Sequence, residues 1–532
     1  MQAELGSSGA ETMLGRCMSG LSVLAISLAL LTAVRAPHSQ AAAPGYYVAD
    51  SLAVVAPEAP FPAGGARTIA LASAGNEYEG AQVVLHGGSG GLRGVDLRLA
   101  GSLTANSGAA IPEETVAFYR EHYVAVTSAS GLRGKPGHYP DALIPLRDPF
   151  TGRGLGTRSY PAAPFDVAPE KNQPVYVEFF IPRGTAAGLY RGAIRIEQDE
   201  AGIFAEVPVT LQVWNFELPA RPALRTNFQG YDSGYASGAA RYLGYAAGSA
   251  EHRALARAVD EMLIAHRLTP ESPLDTLLEV SQDGTVRGET PPAGRLLSYL
   301  KRPEYSDYLL AFGNRYPFSS PTTQNRLRSL NYLRSAYAWF QSHGVESKVF
   351  LRPGDEPART ADFRTIRELA ELAREASPEY RVAMTVDIKD PRVSSFFSGV
   401  VERLVAGYWS FDPEVAASHR ANGHEIWSYT ALVQNAGEPS PYWLIDFPLL
   451  NYRIASWINF RYGITGLLYW TSAYWDEAAA RGESPWVTPC NYKNGTVCYN
   501  GEGLLVYPGR EVSLVVPAGA YGEDSRVPVY GP

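Results

Sequence analysis

Two adjacent carboxylates directly follow a short apolar run near the middle of the chain. The run Val349–Leu351 is typical of a buried strand, and Pro353 and Gly354 end it. Inside a strand, successive side chains point to opposite faces, but beyond a strand end this constraint is lost. We therefore expect Asp355 and Glu356 to be able to converge on one site.

Two carboxylates that lie close together rarely ionise equally, so one site can hold an acid and a base at neutral pH. Pro357 favours an extended backbone at the residue before it, Glu356. An exposed turn is the simpler interpretation of the tripeptide alone, because Asp, Pro and Gly are common turn residues. The place of the pair in the fold has to decide between the two interpretations.

Length and composition restrict the class of protein. A chain of 532 residues is too long for one hydrophobic core, so two or three domains are expected. The net charge of −8 without a long basic run makes nucleic acid and anionic membranes poor partners. The sequence has no Walker loop, no nucleophile elbow and no metal-ligand spacing of its histidines, so we predict neither a cofactor nor a metal.

The N-terminus has the layout of a secretory signal peptide. Arg16 precedes the apolar run Leu21–Val34, and Ser39–Ala43 offers small residues for cleavage. We predict a signal peptide over residues 1–43 and an exported protein, with an uncleaved anchor as the alternative. In an exported protein, the nearby Cys490 and Cys498 are expected to form a disulfide.

The next part of the chain is predicted to be a β-sandwich over residues 44–220. Short runs with partial alternation, separated by Gly, Pro, Asn and Ser, are typical of that fold. The runs are Thr68–Ala72, Ala81–His86, Val95–Leu99, Thr115–Tyr119, Val124–Thr127, Val175–Ile181, Leu189–Ile196 and Val207–Trp214. The linker Leu218–Pro222 contains two prolines, which exclude a helix and favour a domain boundary there.

From residue 221 to residue 532 the pattern changes to apolar runs that alternate with helix-like segments. The runs are Leu224–Phe228, Arg267–Thr269, Tyr308–Phe312, Val349–Leu351, Val382–Val386, Leu404–Tyr408, Ile426–Tyr429 and Leu467–Trp470. Apolar residues recur at helical spacing in Glu251–Ala265, Asn325–Ser342, Thr360–Ala376, Pro413–Ala421 and Asp446–Tyr462. Eight apolar runs, with helix-like segments between several of them, predict a (β/α)₈ TIM-like barrel, with a doubly wound sheet as the alternative.

In such a barrel the active site gathers at the carboxyl ends of the strands, where Asp355 and Glu356 would lie. Other residues near predicted strand ends are candidates for substrate binding. They are His266, Arg267, Asp387, Tyr408, Trp409, Trp427, Tyr429 and Trp470. Two carboxylates among aromatic side chains are what glycoside hydrolysis requires, so a glycan substrate is predicted.

Several of these candidates have an equally simple structural interpretation. Trp427 and Trp470 are as typical of a barrel core as of a sugar platform, because large aromatic side chains are mostly buried. His266 is more typical of a helix end or a core than of a catalytic base. Asp387 fits an exposed turn as well as it fits a residue supporting the acid pair.

The chain resembles the family-123 glycoside hydrolases and their relatives over most of its length after the signal peptide. No single motif is specific, but the order and spacing of the set are. The shared motifs are Asn76–Glu79 with Gln82, Tyr139–Leu143, Asn172–Pro174, Ala187–Gly192, His266-Arg267, Asp355–Pro357, Trp427–Tyr429, Asp446 with Arg453 and Trp457, Gly466–Trp470 and Gly501–Gly509.

This resemblance implies a retaining hydrolase of β-linked N-acetylgalactosamine that uses substrate-assisted catalysis. Glu356 would be the general acid/base, and Asp355 would orient and polarise the 2-acetamido group, whose oxygen attacks the anomeric carbon. Such enzymes are exceptions to the scheme with a carboxylate nucleophile. The alternatives are a glycosidase for sugars that lack the acetamido group and a non-catalytic carbohydrate-binding protein on the same fold.

Overall fold

The computed structural model describes residues 42–131, 133–155, 159–199, 202–229, 242–246, 248–273, 276–290, 294–432 and 440–514. The predicted signal peptide therefore lies almost entirely outside the described residues. Residues 43–532 cluster as one compact unit. Of the helices in the described ranges, none combines the length and the apolar character that a membrane crossing requires.

The first half of this unit is rich in strands, as the sequence predicts. Their bounds are β1 (Gly45–Asp50), β2 (Ile69–Gly75), β3 (Glu77–His86), β4 (Leu92–Leu99), β5 (Leu103–Ala105), β6 (Ala110–Ile111), β7 (Val116–Val126), β8 (Gly137–Pro145), β9 (Phe165–Val167), β10 (Asn172–Ile181), β11 (Gly188–Gln198) and β12 (Gly202–Glu217). The two runs predicted around Tyr119 and Val124 are one strand, β7, whose register shifts at His122 and Tyr123.

These strands form two sheets that enclose one apolar core. One sheet has the order β1-β3-β10-β7-β8, and the other has the order β2-β12-β11-β4-β9, with β5 and β6 attached to β11. Alternate residues of both sheets, such as Val83, Val177 and Ile194, are fully buried in the shared core. The period of two that predicts these strands is thus the period that fills the space between the sheets.

The second half of the unit alternates strands with helices. The strands are β13 (Arg225–Phe228), β14 (Leu278–Val280), β15 (Val286–Glu289), β16 (Tyr308–Leu309), β17 (Val349–Leu351), β18 (Arg381–Thr385), β19 (Arg403–Gly407), β20 (Glu425–Thr430), β21 (Gly466–Tyr469), β22 (Cys490–Asn494) and β23 (Val497–Asn500). The helices are α1 (Ala250–Ala265), α2 (Arg295–Leu300), α3 (Arg326–Ser342), α4 (Thr360–Ala376), α5 (Pro391–Phe397), α6 (Pro413–Ala421), α7 (Leu450–Tyr462) and α8 (Asp476–Ala480).

Seven parallel strands form a near-barrel in the order β13-β21-β20-β19-β18-β17-β16. Residues 269–271 lie between the two outer strands and bond to both. The Phe228 N–H donates to the Thr269 carbonyl at 2.8 Å, and the Leu309 N–H donates to the Glu271 carbonyl at 3.2 Å. A closed barrel of eight strands is therefore not confirmed, because this connection is an isolated bridge rather than a strand.

The prediction of a second strand at Arg267–Thr269 is wrong, and the end of α1 explains why. Arg267 has a φ of +65°, and its N–H donates to the Ile264 carbonyl at 3.0 Å. The Leu268 N–H donates to the Leu263 carbonyl at 2.8 Å. The backbone here satisfies the last carbonyls of the helix, as left-handed residues at helix C-termini do, so it is not free to extend.

A buried charge network fills the near-barrel where its strands begin. Asp307 is completely buried, and its Oδ1 lies 3.0 Å from Arg403, 3.5 Å from Arg381 and 3.9 Å from Arg225. Burial lowers the pKa of Arg403 to about 9, although the Asp307 charge opposes this shift. The guanidinium of Arg403 lies 3.8 Å from the ring centroid of Trp427. Buried charged and aromatic side chains thus occupy the end where the strands begin, which favours the carboxyl ends of the strands as the place of an active site.

Polar contacts join the strand-rich half to the near-barrel. Tyr507 donates a hydrogen bond to the Asp141 carboxylate on β8, and His122 on β7 donates to the Trp486 carbonyl at 2.8 Å. Burial raises the pKa of Asp141 to about 6 and that of Glu121 on β7 to about 8. Buried acids with raised pKa values make stability depend on pH.

We expect Glu121→Gln to raise the melting temperature at pH 8 but not at pH 4.5. Because burial raises the folded pKa of Glu121 to about 8, above its ordinary value of 4.5, the native state holds the proton more tightly. The stabilisation by that proton is complete below pH 4.5 and is lost as pH rises to about 8. Each pKa unit corresponds to about 1.4 kcal/mol, so the effect should reach a few kcal/mol.

The measurement is thermal unfolding followed by circular dichroism between pH 4.5 and 8.5. The same substitution at the exposed Glu114 is the control and should leave the pH dependence unchanged. A gain for Glu121→Gln that is equal at all pH values would show that charge burial is not its cause.

Candidate active site

The open end of the near-barrel is lined by side chains that follow the inward-facing core residues by two positions. On β20, Trp427 fills the barrel interior and Tyr429 lies one layer above it. Leu468 packs in the same cluster from β21, so Trp470 follows it towards the mouth. Strand side chains alternate between faces, so a residue two positions after an inward-facing one lies on the same face, nearer the strand end. Together these residues form a ring at the carboxyl ends of the strands.

The acid pair lies in the loop after β17 and is held by the end of the neighbouring strand β18. The Thr385 hydroxyl donates a hydrogen bond to Oδ1 of Asp355. The Glu356 N–H donates to the Thr385 carbonyl at 3.1 Å and lies 3.2 Å from the Thr385 hydroxyl oxygen. One threonine thus fixes both residues, and both of them are exposed at the mouth.

The backbone at Glu356 differs from the extended conformation that Pro357 favours. Glu356 has a φ of +39°, a left-handed value that non-glycine residues rarely adopt. The two contacts from its N–H to Thr385 hold it there, and strain of this kind is often found at functional sites. Gly354 allows the loop to pass close to α4, since a Cβ at that position would lie 2.8 Å from Ile366.

Tyr429 connects the acid pair to the aromatic side of the mouth. Its hydroxyl donates a hydrogen bond to Oε1 of Glu356. Burial, and then the negative charge of Glu356, raise the pKa of Tyr429, so the phenol keeps its proton as the donor. Trp409 packs edge-on against the Tyr429 ring with 4.9 Å between the ring centroids. Tyr429 and Trp409 are thus placed where the sequence predicts substrate-binding residues.

Further aromatic rings continue from β20 to β21 and to the hairpin β22–β23. The Trp470 ring lies 5.0 Å from Tyr474 and 5.9 Å from Tyr492, measured between ring centroids. Trp409 and Tyr492 both pack against one cluster beneath the rim. We call Trp409, Tyr429, Trp470, Tyr474 and Tyr492 the aromatic wall. Aromatic faces of this kind suit the apolar faces of sugar rings.

Three polar residues at the mouth were not identified from the sequence. Glu271 is buried, and its Oε1 lies 3.0 Å from the Arg352 guanidinium and 3.4 Å from the Gln229 amide nitrogen. Burial raises the pKa of Glu271, while the Arg352 charge opposes that shift and the Asp355 charge adds to it. Arg352 follows the inward-facing Phe350 of β17 by two positions. This spacing is the sequence signal that could have identified Arg352 as a residue of the mouth.

Asp387 lies just past the end of β18 and is exposed. Its Oδ1 accepts a hydrogen bond from the Lys389 backbone N–H at 3.0 Å. Its charge also contributes to the raised pKa of Tyr429. Asp387 therefore lies at the same rim as the acid pair, and its side chain is held by the turn Asp387–Lys389.

Tyr408 and Trp427 do not lie at the mouth. The Tyr408 hydroxyl donates to Asn459 Oδ1 at 2.8 Å on α7, so this side chain packs outside the near-barrel. Trp427 is 1% exposed, and its Nε1 donates to Glu425 Oε1 at 3.1 Å near the end where the strands begin. Both residues were predicted to bind substrate, but both pack in the core. Tyr408 faces outwards from the near-barrel, and Trp427 lies too deep inside it.

His266 and Arg267 contact the strand-rich half of the chain instead of the mouth. The His266 ring stacks on Tyr78 with 4.7 Å between centroids, and its Nε2 lies 3.6 Å from Glu178 Oε2. Burial lowers the pKa of His266, but hydrogen bonding and attraction to Glu178 outweigh it, so the pKa lies above its ordinary value. Arg267 donates to the Pro219 carbonyl at 3.0 Å and to the Asn76 carbonyl at 2.9 Å.

We expect Thr385→Val to lower kcat/KM by about 10-fold, since it removes the hydroxyl that holds Asp355 while keeping the shape of the side chain. Steady-state kinetics on an aryl glycoside measures the effect. Thr430→Val is the matched control, because Thr430 is buried at the end of β20 and its hydroxyl has no hydrogen-bond partner among the described residues. Equal losses for both variants would assign the effect to packing.

Comparison with known proteins gives two findings. Residues 309–516 match the family model described as the catalytic domain of glycoside hydrolase 123. A solved family 123 glycoside hydrolase from Clostridium perfringens, described in connection with glycolipid glycan hydrolysis, is 14% identical to this chain. The alignment covers 88% of this chain and 84% of that chain with a TM-score of 0.61, which shows a shared fold. These findings confirm the resemblance stated above.

Other solved structures are more distant. Bacteroides uniformis beta-glucuronidase 2 is 10% identical over 82% of this chain and 47% of that chain, with a TM-score of 0.28. That score is too low to support an argument about this protein. No curated protein sequence matches the chain.

Proposed function

We propose that this protein hydrolyses β-linked 2-acetamido sugars of the N-acetylgalactosamine type, with retention of configuration. The match of residues 309–516 to the family model for the catalytic domain of glycoside hydrolase 123 supports this proposal. The observation that carries the proposal is the joint placement of Asp355 and Glu356. One residue, Thr385, fixes both of them, and Tyr429 links Glu356 to the aromatic wall. Such an arrangement supports two carboxylates with different tasks at one sugar.

In the first proposed step, Glu356 gives its proton to the glycosidic oxygen as the bond from this oxygen to the anomeric carbon breaks. The acetamido oxygen of the substrate forms a new bond to the anomeric carbon, and the ring that results carries a positive charge. Asp355 accepts a hydrogen bond from the acetamido N–H and stabilises that charge. The Thr385 hydroxyl supports this role because it donates to Oδ1 and fixes the direction of the carboxylate.

In the second proposed step, Glu356 takes a proton from a water molecule that attacks the anomeric carbon. The bond to the acetamido oxygen breaks, and the sugar leaves with its original configuration. Glu356 regains the proton that it gave in the first step, so the cycle balances. Tyr429 can support both protonation states of Glu356, because its hydroxyl can donate to the carboxylate and can accept from the acid.

A screen of aryl β-glycosides with and without a 2-acetamido group tests this function. We expect hydrolysis of the acetamido sugars, with the N-acetylgalactosaminide among them, and slower hydrolysis of the same sugars by Glu356→Ala. Hydrolysis confined to sugars without the group would reject substrate assistance and favour the alternative glycosidase. Binding without hydrolysis of any member would favour a carbohydrate-binding protein.

We also propose that residues 44–220 form an accessory domain and that residues 221–532 form the catalytic (β/α)₈ domain. The bonds of residues 269–271 to β13 and β16 support this, since the segment takes the place of a second strand. Limited proteolysis is expected to cut first within Leu218–Pro222, which lies between the end of β12 and the start of β13. An initial cut inside one of the two sheets would contradict this division.

Export through the signal peptide over residues 1–43 is proposed as well. Cys490 and Cys498 form a disulfide that closes the hairpin β22–β23 in the structure, with 5.4 Å between their Cα atoms. We expect exported protein to begin near Ala42 and to carry this bond. Intact-mass measurement with and without a thiol-alkylating reagent checks both points, and two alkylated thiols in exported protein would contradict the bond.

A further inference from the structure

Glu502 is a buried carboxylate at the rim that the proposed mechanism does not use. It is 2% exposed and lies between Gly501 and Gly503, whose φ values are +75° and +70°. A Cβ at Gly501 would lie 2.6 Å from Ile445, and one at Gly503 would lie 2.5 Å from Thr471. The two glycines therefore let a tight turn bring this carboxylate into the protein.

Both carboxylate oxygens accept hydrogen bonds from rim segments that come from different strands. Oε1 accepts from the Trp470 indole Nε1 at 2.6 Å, just past the end of β21. Oε2 accepts from the Leu432 backbone N–H at 3.0 Å, just past the end of β20. The Leu432 backbone has a φ of +49°, so its N–H is aimed by a turn that other interactions must hold.

The turn that carries Glu502 is also tied to the disulfide-bonded hairpin. The Asn491 side chain donates a hydrogen bond to the Glu502 carbonyl and lies 3.3 Å from the Tyr474 carbonyl. The hairpin in turn supplies Tyr492, which contacts the Trp470 ring. Three segments of the rim thus meet at one buried residue.

We propose that Glu502 is a positioning residue, which holds the Trp470 indole and the loop after β20 so that the aromatic wall presents a fixed face to the sugar. This inference rests on the proposed function in one respect, namely that the ligand at the wall is a glycan. A hydrogen bond from the indole N–H fixes the ring orientation without using its faces. The side chain acts through Trp470 and does not itself need to touch the substrate.

The charge state of Glu502 should then affect substrate binding. Burial raises the pKa of Glu502 to about 7, against the hydrogen bonds from Trp470, Leu432 and Tyr469, which lower it. The titratable groups that interact with its charge are the phenols of Tyr469, Tyr499 and Tyr452. Because the pKa of each phenol is also raised, they remain neutral in this range. Protonation removes the negative charge and places a hydroxyl on one of the two oxygens, so we expect the hydrogen bonds from the two N–H donors to weaken as pH falls through about 7.

Two variants test the role without depending on each other. Glu502→Gln keeps the size but replaces one acceptor oxygen by an N–H₂ group, and Trp470→Phe keeps a ring but removes the indole N–H. For each we expect KM for an aryl N-acetylgalactosaminide to rise by about 10-fold at pH 7.5 while kcat changes by less than about threefold. In wild type, KM should rise as pH falls from 8 to 6, and this rise should be absent in Glu502→Gln.

Asp141→Asn is the matched control, since Asp141 is a half-buried residue whose carboxylate accepts from Tyr507 at the contact with the strand-rich half and whose pKa is also raised. It should leave KM and its pH dependence unchanged. Circular dichroism of each variant confirms that it is folded. Unchanged KM in folded Glu502→Gln and Trp470→Phe would overturn the proposal, and so would an equal rise of KM in Asp141→Asn.

Tryptophan fluorescence between pH 5 and 9 gives a readout that needs no hydrolysis. We expect a transition near pH 7 in wild type and in Asp141→Asn that is lost in Glu502→Gln and in Trp470→Phe. Absence of the transition in wild type would overturn the proposed role of Glu502 even if the enzyme is active. If the transition occurs but the protein hydrolyses no glycoside, the positioning role of Glu502 is retained and the proposed function is rejected.

Discussion

Glu356→Gln should lower kcat/KM by about 10²–10⁴-fold on a β-glycoside with a poor leaving group. The substitution keeps the contact with Tyr429 but removes the proton that the glycosidic oxygen needs. An activated aryl leaving group departs with little protonation, so its loss should be much smaller. Steady-state kinetics on one alkyl and one nitrophenyl glycoside of the same sugar measures the difference.

The same substitution at Glu368, an exposed residue of α4, is the control for expression and folding and should leave both substrates unaffected. Equal losses on the two substrates would argue that Glu356 binds the sugar and does not protonate the leaving oxygen. A further test is addition of azide to Glu356→Gln, which should restore turnover of the activated substrate only, because azide then replaces the water that Glu356 would activate.

The strongest local signals of the sequence predict their elements well. Helix α6 has the predicted bounds, Pro413–Ala421, because Asp412 accepts hydrogen bonds from the first turn and Pro413 suits the first helical position. Strand β17 also has its predicted bounds, Val349–Leu351, since a breaker follows an apolar run directly. The position of Asp355 and Glu356 just beyond the end of β17 could be predicted for the same reason, because both residues lie next to that breaker, and their catalytic role stays a prediction.

The sequence could predict the strand on which an aromatic residue lies. It could not predict how deep in the near-barrel the side chain lies or which face of the sheet it points to. Trp427 and Tyr429 share the inward face of β20, yet only Tyr429 reaches the mouth, because the strand begins one layer below Trp427. Tyr408 begins a 3₁₀ turn directly after β19, and it packs outwards on α7. Alternation gives the face of a residue, but its depth depends on how neighbouring strands are staggered.

Residues whose role depends on a partner far away in the sequence could not be predicted. His266 and Arg267 look like the start of a strand, but their partners lie about 50 to 190 residues earlier, in the strand-rich half and the linker. Glu271 becomes a mouth residue through Arg352, and Glu502 through Trp470 and Leu432. Each of these contacts spans segments that periodicity treats separately.

Asp355→Asn should lower kcat by about 10²–10³-fold with little change in KM, because it keeps the shape of the side chain and removes the charge that the intermediate requires. A thiazoline analogue of the intermediate should bind wild type far more tightly than the product sugar, and this advantage should shrink in Asp355→Asn. Isothermal titration calorimetry measures both affinities. Asp412→Asn is the matched control, since asparagine caps α6 as well as aspartate does. Thiazoline binding no tighter than product in wild type would reject substrate assistance, and a covalent adduct of Asp355 with a 2-fluoro glycoside would show that Asp355 is itself the nucleophile.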